Sequence, residues 1–157
     1  MSTKSAEVLT DPIFKNVDGD RIVRIQNVKS KLWVYALTDS KIVSHSDSGT
    51  TDPKQQWKLT LTDSVTHRYL IQNVGTKNYA WVSEPPKSGD EVIQKPEGTR
   101  EWTIVPADTT QFKISPTGAS DNLCWTQAEV DEGKPIQVME YQSDKSLWIF
   151  HEVNTPI

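Results

Sequence analysis

Three short stretches of the sequence have the same form: KQQWKL at residues 54–59, TREWTI at residues 99–104 and KSLWIF at residues 145–150. In each, a polar residue lies two positions before a Trp, and a strand-like run with apolar residues follows. Trp57, Trp102 and Trp148 thus recur at intervals of about 45 residues, and self-similarity at a fixed long interval is typical of structural repeats. The chain is predicted to contain three equivalent units.

Other features recur at a similar interval. Each unit begins with a matching run, VRIQNV at residues 23–28, YLIQNV at 69–74 and FKISPT at 112–117. A second set of tryptophans keeps step at Trp33, Trp81 and Trp125, and a third apolar run surrounds Ile42, Val92 and Ile136. One pattern would then account for all six tryptophans.

The runs have the composition of β-strands. Each unit has four short runs rich in β-branched and aromatic residues, separated by clusters of Gly, Pro, Asp and Ser such as SEPPKSGDE at 83–91. No stretch of a dozen residues keeps apolar residues at the i, i+3, i+4 and i+7 positions of an amphipathic helix. The prediction is an all-β protein with about twelve strands.

Three four-stranded units leave few ways to close a sheet. A propeller needs about four to eight blades, and an open solenoid needs capping units, which the pattern lacks. A β-trefoil closes with threefold pseudosymmetry, because two strands of each unit form a six-stranded barrel and the remaining hairpins cover one end. The predicted fold is a β-trefoil of three pseudo-symmetric four-stranded repeats, with Trp57, Trp102 and Trp148 in the core.

The 157 residues fit one domain, since compact domains cluster at roughly 100 to 150 residues. Six Trp, four Tyr and three Phe predict an aromatic core. We expect residues 1–14 to be a loosely ordered N-terminal leader segment. Residues 15–157 would form the single domain, with repeats at about 20–64, 65–108 and 109–153.

Charge and hydropathy exclude several partners. Seventeen Lys and Arg against 21 Asp and Glu give a net charge of -4, which repels a phosphate backbone, so no nucleic-acid partner is expected. No run approaches the ~18 apolar residues of a membrane span, and residues 1–12 lack the apolar segment of a signal peptide. Cys124 is alone, so no intramolecular disulfide can form, and there is no Asn-x-Ser/Thr site. We expect a cytoplasmic protein without membrane insertion.

These residues resemble the ricin-B-type (R-type) β-trefoil lectins, whose repeats end in a Gln-x-Trp motif. The resemblance covers residues 21–153, where QQW at 55–57 has the full motif and the other repeats have REW and SLW. Because it lacks disulfides, the chain is more similar to the cytoplasmic lectins of fungi than to the secreted plant toxin subunits. The resemblance implies a carbohydrate-binding agglutinin that recognises glycans or glycoproteins, most often through galactose or N-acetylgalactosamine, with a homodimer as one way to present several sites.

In that family a sugar lies in a shallow pocket on each repeat. It is held by an Asp on the second strand, an aromatic residue on the third, and an Asn and a Gln just before the final Trp. The Asp carboxylate accepts hydrogen bonds from the sugar hydroxyls, and the aromatic ring packs on the C–H face of the sugar. Alignment of KLWV, YAWV and LCWT with the family's second strand places Trp33, Trp81 and Trp125 at or beside the Asp position. Alternation along the strand would turn these three indoles outward.

Two interpretations of the outward tryptophans stay open. In one, they line a shallow pocket and stack on the sugar, and a nearby polar group replaces the lost carboxylate. The candidates for that group are Asp39, His45, Glu84, Glu129, Glu140 and Tyr141. In the other, the tryptophans only roof the barrel beneath the loops.

The third repeat has the most site-like sequence, because residues 125–133 and 137–144 bring polar and aromatic residues onto adjoining strands and turns. Its predicted carbohydrate-binding residues are Trp125, Gln127, Glu129, Glu140, Tyr141 and Asp144. The first repeat is the second choice. Its predicted residues are Tyr35, Asp39, His45, Asp52 and Gln55, of which Gln55 is the one conventional glutamine.

Other chemistry has little support in the sequence. His45, His67 and His151 fall in different repeats without metal-like spacing. The carboxylate pairs at 90–91 and 131–132 lie in turn-like, Gly-flanked segments and are expected to be solvated loop charges. We expect no enzymatic activity, no cofactor and no metal site.

A protease inhibitor is the alternative function, because β-trefoil inhibitors of legumes and mushrooms insert one stiff exposed loop into the protease cleft. In the loop Glu84–Asp90, Pro85 and Pro86 restrict the backbone and Lys87 suits a trypsin-like pocket. The segment 38–45, with Lys41, is a second candidate loop. Agglutination blocked by a simple sugar would favour the lectin, and trypsin inhibition lost in K87A or K41A would favour the inhibitor.

Overall fold

The structure is a computed structural model that describes residues 7–9, 20–37, 40–98, 100–118 and 122–153. Within these ranges the chain is built of β-strands, with 3-10 helices at Pro53–Gln55 and Ser143–Ser146 and no helix that has the length and hydropathy of a membrane span. The strands are β1 (Glu7–Val8), β2 (Arg21–Asn27), β3 (Trp33–Ala36), β4 (Ile42–His45), β5 (Trp57–Asp63), β6 (Arg68–Asn73), β7 (Tyr79–Trp81), β8 (Ile93–Lys95), β9 (Trp102–Pro106), β10 (Phe112–Pro116), β11 (Leu123–Thr126), β12 (Gln137–Glu140) and β13 (Trp148–Glu152). The all-β prediction is confirmed.

Six of these strands close into a barrel. β2 pairs with β5, β5 with β6, β6 with β9, β9 with β10 and β10 with β13, and β13 returns to β2, each pair antiparallel. The six are the first and last strands of three four-stranded repeats. Closure pairs both edges of each barrel strand, which removes the exposed edges of an open sheet. The predicted threefold β-trefoil is confirmed.

The second and third strands of each repeat form hairpins, β3 with β4, β7 with β8 and β11 with β12. Single bridges link the three hairpins in a ring, and they join Lys41 to Ile93, Glu91 to Gln137 and Val43 to Pro135. The residues between the bridging positions are apolar and buried: Ile42, Val92 and Ile136. The third apolar run of each repeat therefore seals the end of the barrel beneath the hairpins.

Apolar side chains fill the barrel in sets of three, one from each repeat. The first strands contribute two sets: Ile25, Ile71 and Ile114, and Val23, Tyr69 and Phe112. The last strands contribute two more: Trp57, Trp102 and Trp148, and Leu59, Ile104 and Phe150. Side chains that alternate along a strand point to opposite faces, so residues two apart share the interior. The predicted core position of the three motif tryptophans is confirmed, with 0% exposure for each.

Each motif tryptophan is tied to the second strand of its own repeat. The Nε1–H groups of Trp57, Trp102 and Trp148 donate to main-chain carbonyls at 3.0, 3.2 and 3.0 Å. The acceptors, in the same order, are the carbonyl oxygens of Val34, Ala80 and Trp125. A buried indole needs a partner for its N–H, so these bonds fix how each hairpin sits on the barrel.

Two asparagines tie neighbouring repeats together. The Nδ2 of Asn27 donates to the Lys145 carbonyl at 3.0 Å, and the Nδ2 of Asn73 donates to the Lys54 carbonyl at 2.9 Å. Each acceptor lies just before a motif tryptophan. The turn that presents each of these tryptophans is therefore held by the first strand of the next repeat around the barrel.

The described part of the N-terminal segment adds one short strand. β1 pairs antiparallel with β13, and Leu9 is buried with the core. The leader predicted for residues 1–14 and the domain boundary at residue 15 stay predictions, since residues 1–6 and 10–19 lie outside the described ranges.

We expect Trp102→Ala to lower the free energy of unfolding by about 3 to 5 kcal/mol, because it leaves a cavity in the barrel and removes a buried indole. Val65→Ala is the control, since Val65 is 85% exposed in the turn between β5 and β6 and should change stability by less than about 0.5 kcal/mol. Urea unfolding of both variants measures the difference. A W102A protein that unfolds at the parent's urea concentration would contradict the core assignment.

Candidate functional site

The indole hydrogen bonds correct the alignment of the second tryptophan set. Because Val34, Ala80 and Trp125 accept equivalent bonds, the residues before them are equivalent to one another, namely Trp33, Tyr79 and Cys124. The residues after them are also equivalent, namely Tyr35, Trp81 and Thr126. The prediction that Trp33, Trp81 and Trp125 share one position is wrong. Repeats of unequal length hide a shift of one residue, and such a shift turns a strand's side chains to the other face.

Trp125 belongs to the core and not to a sugar pocket. Its side chain is 0% exposed and contacts Trp102 and Trp148 edge-on, with ring centroids 5.4 and 6.0 Å apart. The predicted outward direction of Trp125, and its stacking on a ligand, are therefore wrong. The reason is the register, which gives Trp125 the inward place that Val34 and Ala80 hold in the other repeats.

Trp33 is also buried, because neighbouring side chains cover its ring. The guanidinium carbon of Arg24 lies 4.0 Å from the ring centroid and the imidazole of His151 lies 4.8 Å from it, centroid to centroid. Arg24 is itself buried and forms an ion pair with Asp47. With 9% exposure, Trp33 has too little free surface to stack on a sugar, so it roofs the barrel.

The two predicted glutamines are committed to internal hydrogen bonds. Gln55 accepts from Arg24 Nη2 at 2.7 Å and donates to the Ser46 carbonyl at 2.9 Å. The Nε2 of Gln127 donates to the Glu129 carbonyl at 3.0 Å. Both glutamines are 0% exposed. They brace the loops from beneath, which corrects the prediction that they contact a ligand directly.

The other third-repeat candidates are exposed, namely Glu129, Glu140, Tyr141 and Asp144. Their contacts lead to different partners. Glu129 forms an ion pair with Lys134 at 3.9 Å, whereas the ring centroid of Tyr141 lies 5.2 Å from Lys113 Nζ. Among these four described residues no hydrogen bond or ion pair joins one to another. Whether they bind a ligand stays a prediction.

The first repeat brings an aromatic pair and two carboxylates together. The rings of Tyr35 on β3 and His45 on β4 stack with centroids 4.1 Å apart and an interplanar angle of 18°. Glu132 of the third repeat lies 4.0 Å from His45 Nε2, and Asp52 lies near enough to Tyr35 to affect its ionisation. We call these four residues the Tyr35–His45 surface. The sequence predicted three of them, while Asp39 lies outside the described residues.

The electrostatics give this surface both donors and acceptors. Burial, with a smaller effect of the Asp52 charge, raises the pKa of Tyr35, so its hydroxyl remains protonated at neutral pH. The Ser46 N–H, which donates to Glu132 at 3.2 Å, lowers the pKa of Glu132 together with the Ser46 side chain and His45. The Nδ1–H of His45 donates to the Ser46 carbonyl at 2.7 Å and so orients the ring.

The second repeat has a related pair of side chains. Trp81 takes the place of Tyr35, and Lys95, in the place of His45, has its Nζ 4.2 Å from the Trp81 ring centroid. Trp81 is half-buried, whereas the other five indoles are 9% exposed or less. The predicted outward direction therefore holds for Trp81. Sequence spacing did not identify Lys95, because its role follows from the hairpin register.

The loop Glu84–Asp90 is braced from within. Asp90 Oδ2 accepts from the Lys87 N–H and from the Ser83 hydroxyl, each at 2.8 Å, and the Asp90 N–H donates to the Lys87 carbonyl at 3.0 Å. Gly89 has φ of +97° inside this turn, a backbone conformation that favours glycine. Lys87 is exposed, but both of its main-chain polar groups are used inside the loop.

The three histidines lie in different surroundings. His45 belongs to the Tyr35–His45 surface, His67 is exposed between β5 and β6, and His151 donates through Nε2 to Gln26 Oε1 at 2.9 Å. In the part of the chain that the structure describes, no three His, Cys, Asp or Glu side chains are grouped to hold a metal ion.

No protein-family model and no curated protein matches the sequence. Solved structures match at low identity. The Macrolepiota procera ricin B-like lectin in complex with lactose is 17% identical, with 87% of this chain and 98% of that chain covered and a TM-score of 0.73. The Rhizoctonia solani agglutinin is 16% identical, with 97% of this chain and 98% of that chain covered and a TM-score of 0.72. The designed threefold-symmetric protein ThreeFoil is 17% identical, with 85% of this chain and 99% of that chain covered and a TM-score of 0.71. These likenesses show that the chain has the β-trefoil fold.

We expect His151 to make stability depend on pH. Burial, together with the charge of Arg24, lowers the pKa of His151 from its ordinary value of 6.5. The unfolded chain then binds this proton more readily than the folded chain, so the free energy of unfolding falls as the pH drops through about 6.5. His151→Gln removes this contribution and should lose less stability than the parent between about pH 7.5 and pH 5.

His67→Asn is the matched control, since His67 is exposed and has φ of +57°, which Asn adopts readily. Urea unfolding at both pH values provides the comparison. A His151→Gln variant with the full pH dependence of the parent would show that His151 is not held neutral against Trp33.

Proposed function

We propose that this protein binds carbohydrate through the Tyr35–His45 surface and catalyses no reaction. The observation that carries the proposal is the stacked, half-buried pair of Tyr35 and His45, with the Glu132 carboxylate 4.0 Å from the imidazole and the Asp52 charge within electrostatic range of the phenol. Sugars need an apolar surface for their C–H groups and polar partners for their hydroxyls. The shared fold supports the proposal, since the M. procera lectin was solved in complex with lactose.

The surface offers each kind of contact without large rearrangement. The Tyr35 hydroxyl donates, and the carboxylates of Asp52 and Glu132 accept from vicinal hydroxyls. His45 is held by the Ser46 carbonyl, and the Ser46 N–H holds Glu132, so both side chains are oriented before a ligand arrives. Preorganised side chains lose less conformational entropy on binding.

We infer a galactose-type glycan, free or on a glycoprotein, as the ligand. The support is the lactose in the M. procera structure, whose chain this one covers almost fully. A single shallow site has a Kd of about 1 mM, which is about -4 kcal/mol, and several sites on one particle raise the avidity. A homodimer, or a second working repeat, would therefore make the protein an agglutinin. A cytoplasmic location fits its single, buried Cys124.

The geometry disfavours the alternative, a protease inhibitor. The reactive residue of an inhibitor loop must offer its carbonyl to the oxyanion hole of the protease. In the loop Glu84–Asp90, the Lys87 carbonyl already accepts from Asp90, and the Lys87 N–H is bound to the Asp90 carboxylate. The Lys41 carbonyl is likewise occupied, by Leu37 N and Gln94 Nε2, each at 2.9 Å.

Tyr35→Ala should weaken lactose binding roughly tenfold or more, because it removes both the ring and the hydroxyl from the surface. Tyr35→Phe keeps the ring and should weaken binding by a smaller factor. Isothermal titration calorimetry with lactose measures both variants. Full affinity in Tyr35→Ala would remove the Tyr35–His45 surface from the site.

Tyr141→Ala is the control, because Tyr141 is an exposed tyrosine of the third repeat. Unchanged affinity is expected. A loss confined to Tyr141→Ala would move the site to the third repeat. A parent protein that binds neither lactose nor any sugar of a glycan array would reject the carbohydrate-binding proposal itself.

Trypsin should keep its full activity in the presence of an equimolar amount of the parent protein, because the main chain at Lys87 and Lys41 is engaged inside the fold. Residual peptidase activity on a chromogenic substrate provides the measurement. Tight inhibition that disappears in Lys87→Ala, but not in Lys54→Ala, would establish the inhibitor function instead.

A further inference from the structure

A buried arginine of the second repeat lacks partners for most of its donors. Arg100 lies two residues before Trp102, and its side chain is 5% exposed. Its Nη1 donates to the Thr117 carbonyl at 3.3 Å and lies 3.6 Å from the Glu84 carboxylate. Its Nε and Nη2 are buried without a hydrogen-bond partner among the described residues. A buried guanidinium is costly unless it is paired, so its environment is electrostatically incomplete.

The other two repeats fill the equivalent position with a neutral, satisfied side chain. In the first repeat it is Gln55, which bonds through both its oxygen and its nitrogen. In the third it is Ser146, whose hydroxyl bonds to Thr126 Oγ1 and to the Gln142 N–H, each at 2.8 Å. Of these three described residues, each two positions before a motif tryptophan, Arg100 is the one that carries a charge and has hydrogen-bond donors without partners.

The counter-ion of this guanidinium lies on the solvent side. Glu84, whose carboxylate lies near Nη1, is 76% exposed. A separation of 3.6 Å is longer than a hydrogen bond, so Glu84 is a loosely held counter-ion. An incoming anion can take its place without breaking a hydrogen bond of the fold.

Aromatic and cationic side chains lie on the β7–β8 hairpin, which precedes Arg100 in the same repeat. Gly98, two residues earlier, lies against Tyr79, so that a Cβ at Gly98 would be 2.7 Å from the phenol ring. Lys95 pairs with Tyr79 across the hairpin and reaches Trp81 with its Nζ. The second repeat thus combines two cations with two half-buried aromatic rings, where the Tyr35–His45 surface has two carboxylates.

We propose that the second repeat binds an anionic saccharide, whose carboxylate or sulfate group pairs with Arg100 and displaces Glu84. The inference rests on the proposed carbohydrate binding and gives the second repeat its own ligand class. A guanidinium N–H forms a charge-assisted hydrogen bond with such anions, and Nη1, which faces Glu84, is the group that the anion would meet. Lys95 adds a second positive charge, and Tyr79 with Trp81 supplies the surface for the sugar ring.

The test compares three ligands that share one sugar backbone: lactose, 3′-sialyllactose and 3′-sulfolactose. We expect the parent to bind at least one anionic ligand roughly tenfold more tightly than lactose at low ionic strength, and the preference to shrink as salt is added. Arg100→Gln, which places the glutamine of the first repeat here, should abolish the preference. Equal affinity of the parent for all three ligands would overturn the inference, and the stronger of the two anionic ligands identifies the group.

Two variants complete the design. Arg68→Gln removes a positive charge from the same repeat, where Arg68 pairs with Glu101 at 3.8 Å, and should keep the preference. Glu84→Gln removes the competing carboxylate and should raise the affinity for the anionic ligand about threefold. Because Glu84 is exposed, Glu84→Gln also tests the inference if Arg100→Gln fails to fold. An unchanged affinity of Glu84→Gln for the anionic ligand would contradict displacement of Glu84.

The result separates this inference from the proposed function. Lactose binding that depends on Tyr35, without any preference for anionic ligands, would reject the anionic site alone. Anionic binding that depends on Arg100 and survives Tyr35→Ala would support a separate site on the second repeat. Absence of binding to all three ligands would overturn the anionic site and the galactose-type ligand, and the glycan array would then decide whether the protein binds carbohydrate at all.

Discussion

The hydrogen bond from each motif indole to the second strand of its own repeat is the constraint on which the rest of the structure depends. The motif indoles fill the barrel, and a buried N–H without an acceptor would be costly. The carbonyls of Val34, Ala80 and Trp125 supply it. Because the bond fixes the second strand on the barrel, it also decides which side chains face outward at the surface where a ligand can bind.

Large features with long-range regularity were predictable from the sequence. The recurrence of Trp57, Trp102 and Trp148 gave the number of repeats, and the need to close the sheet edges selected the trefoil. The three motif indoles form one set of side chains inside the barrel, so their spacing reflects the core. The sequence also predicted Tyr35, His45 and Asp52 of the first repeat. These residues lie close together along the chain, on two paired strands and the turn after them, so their grouping has a local signal.

The register within each hairpin was not predictable in this way. Trp125 matches Trp33 by eye, yet it occupies the inward position because a single residue of difference in length turns the strand over. The Glu132 contact with Ser46 joins segments 86 residues apart, and it depends on how the third repeat lies beside the first. The burial of Gln55 follows from Arg24, whose place against Trp33 depends on the same packing. Such contacts belong to the closed barrel and have no local signal.

The three repeats show how one scaffold has diverged in its surface while its framework bonds persist. Asn27 and Asn73 make the same contacts to the preceding turn, and the three indoles make the same bond to the hairpin. The residue two before the motif tryptophan makes different contacts in each repeat, through Gln55, Arg100 and Ser146. In the first repeat Gln55 accepts a hydrogen bond from the buried Arg24, whereas Nε and Nη2 of Arg100 have no hydrogen-bond partner among the described residues. A framework held by the indoles and the two asparagines leaves this position free to acquire a charge, and a buried charge that is paired only loosely, as Arg100 is with Glu84 at 3.6 Å, would gain from a stronger partner that comes from outside.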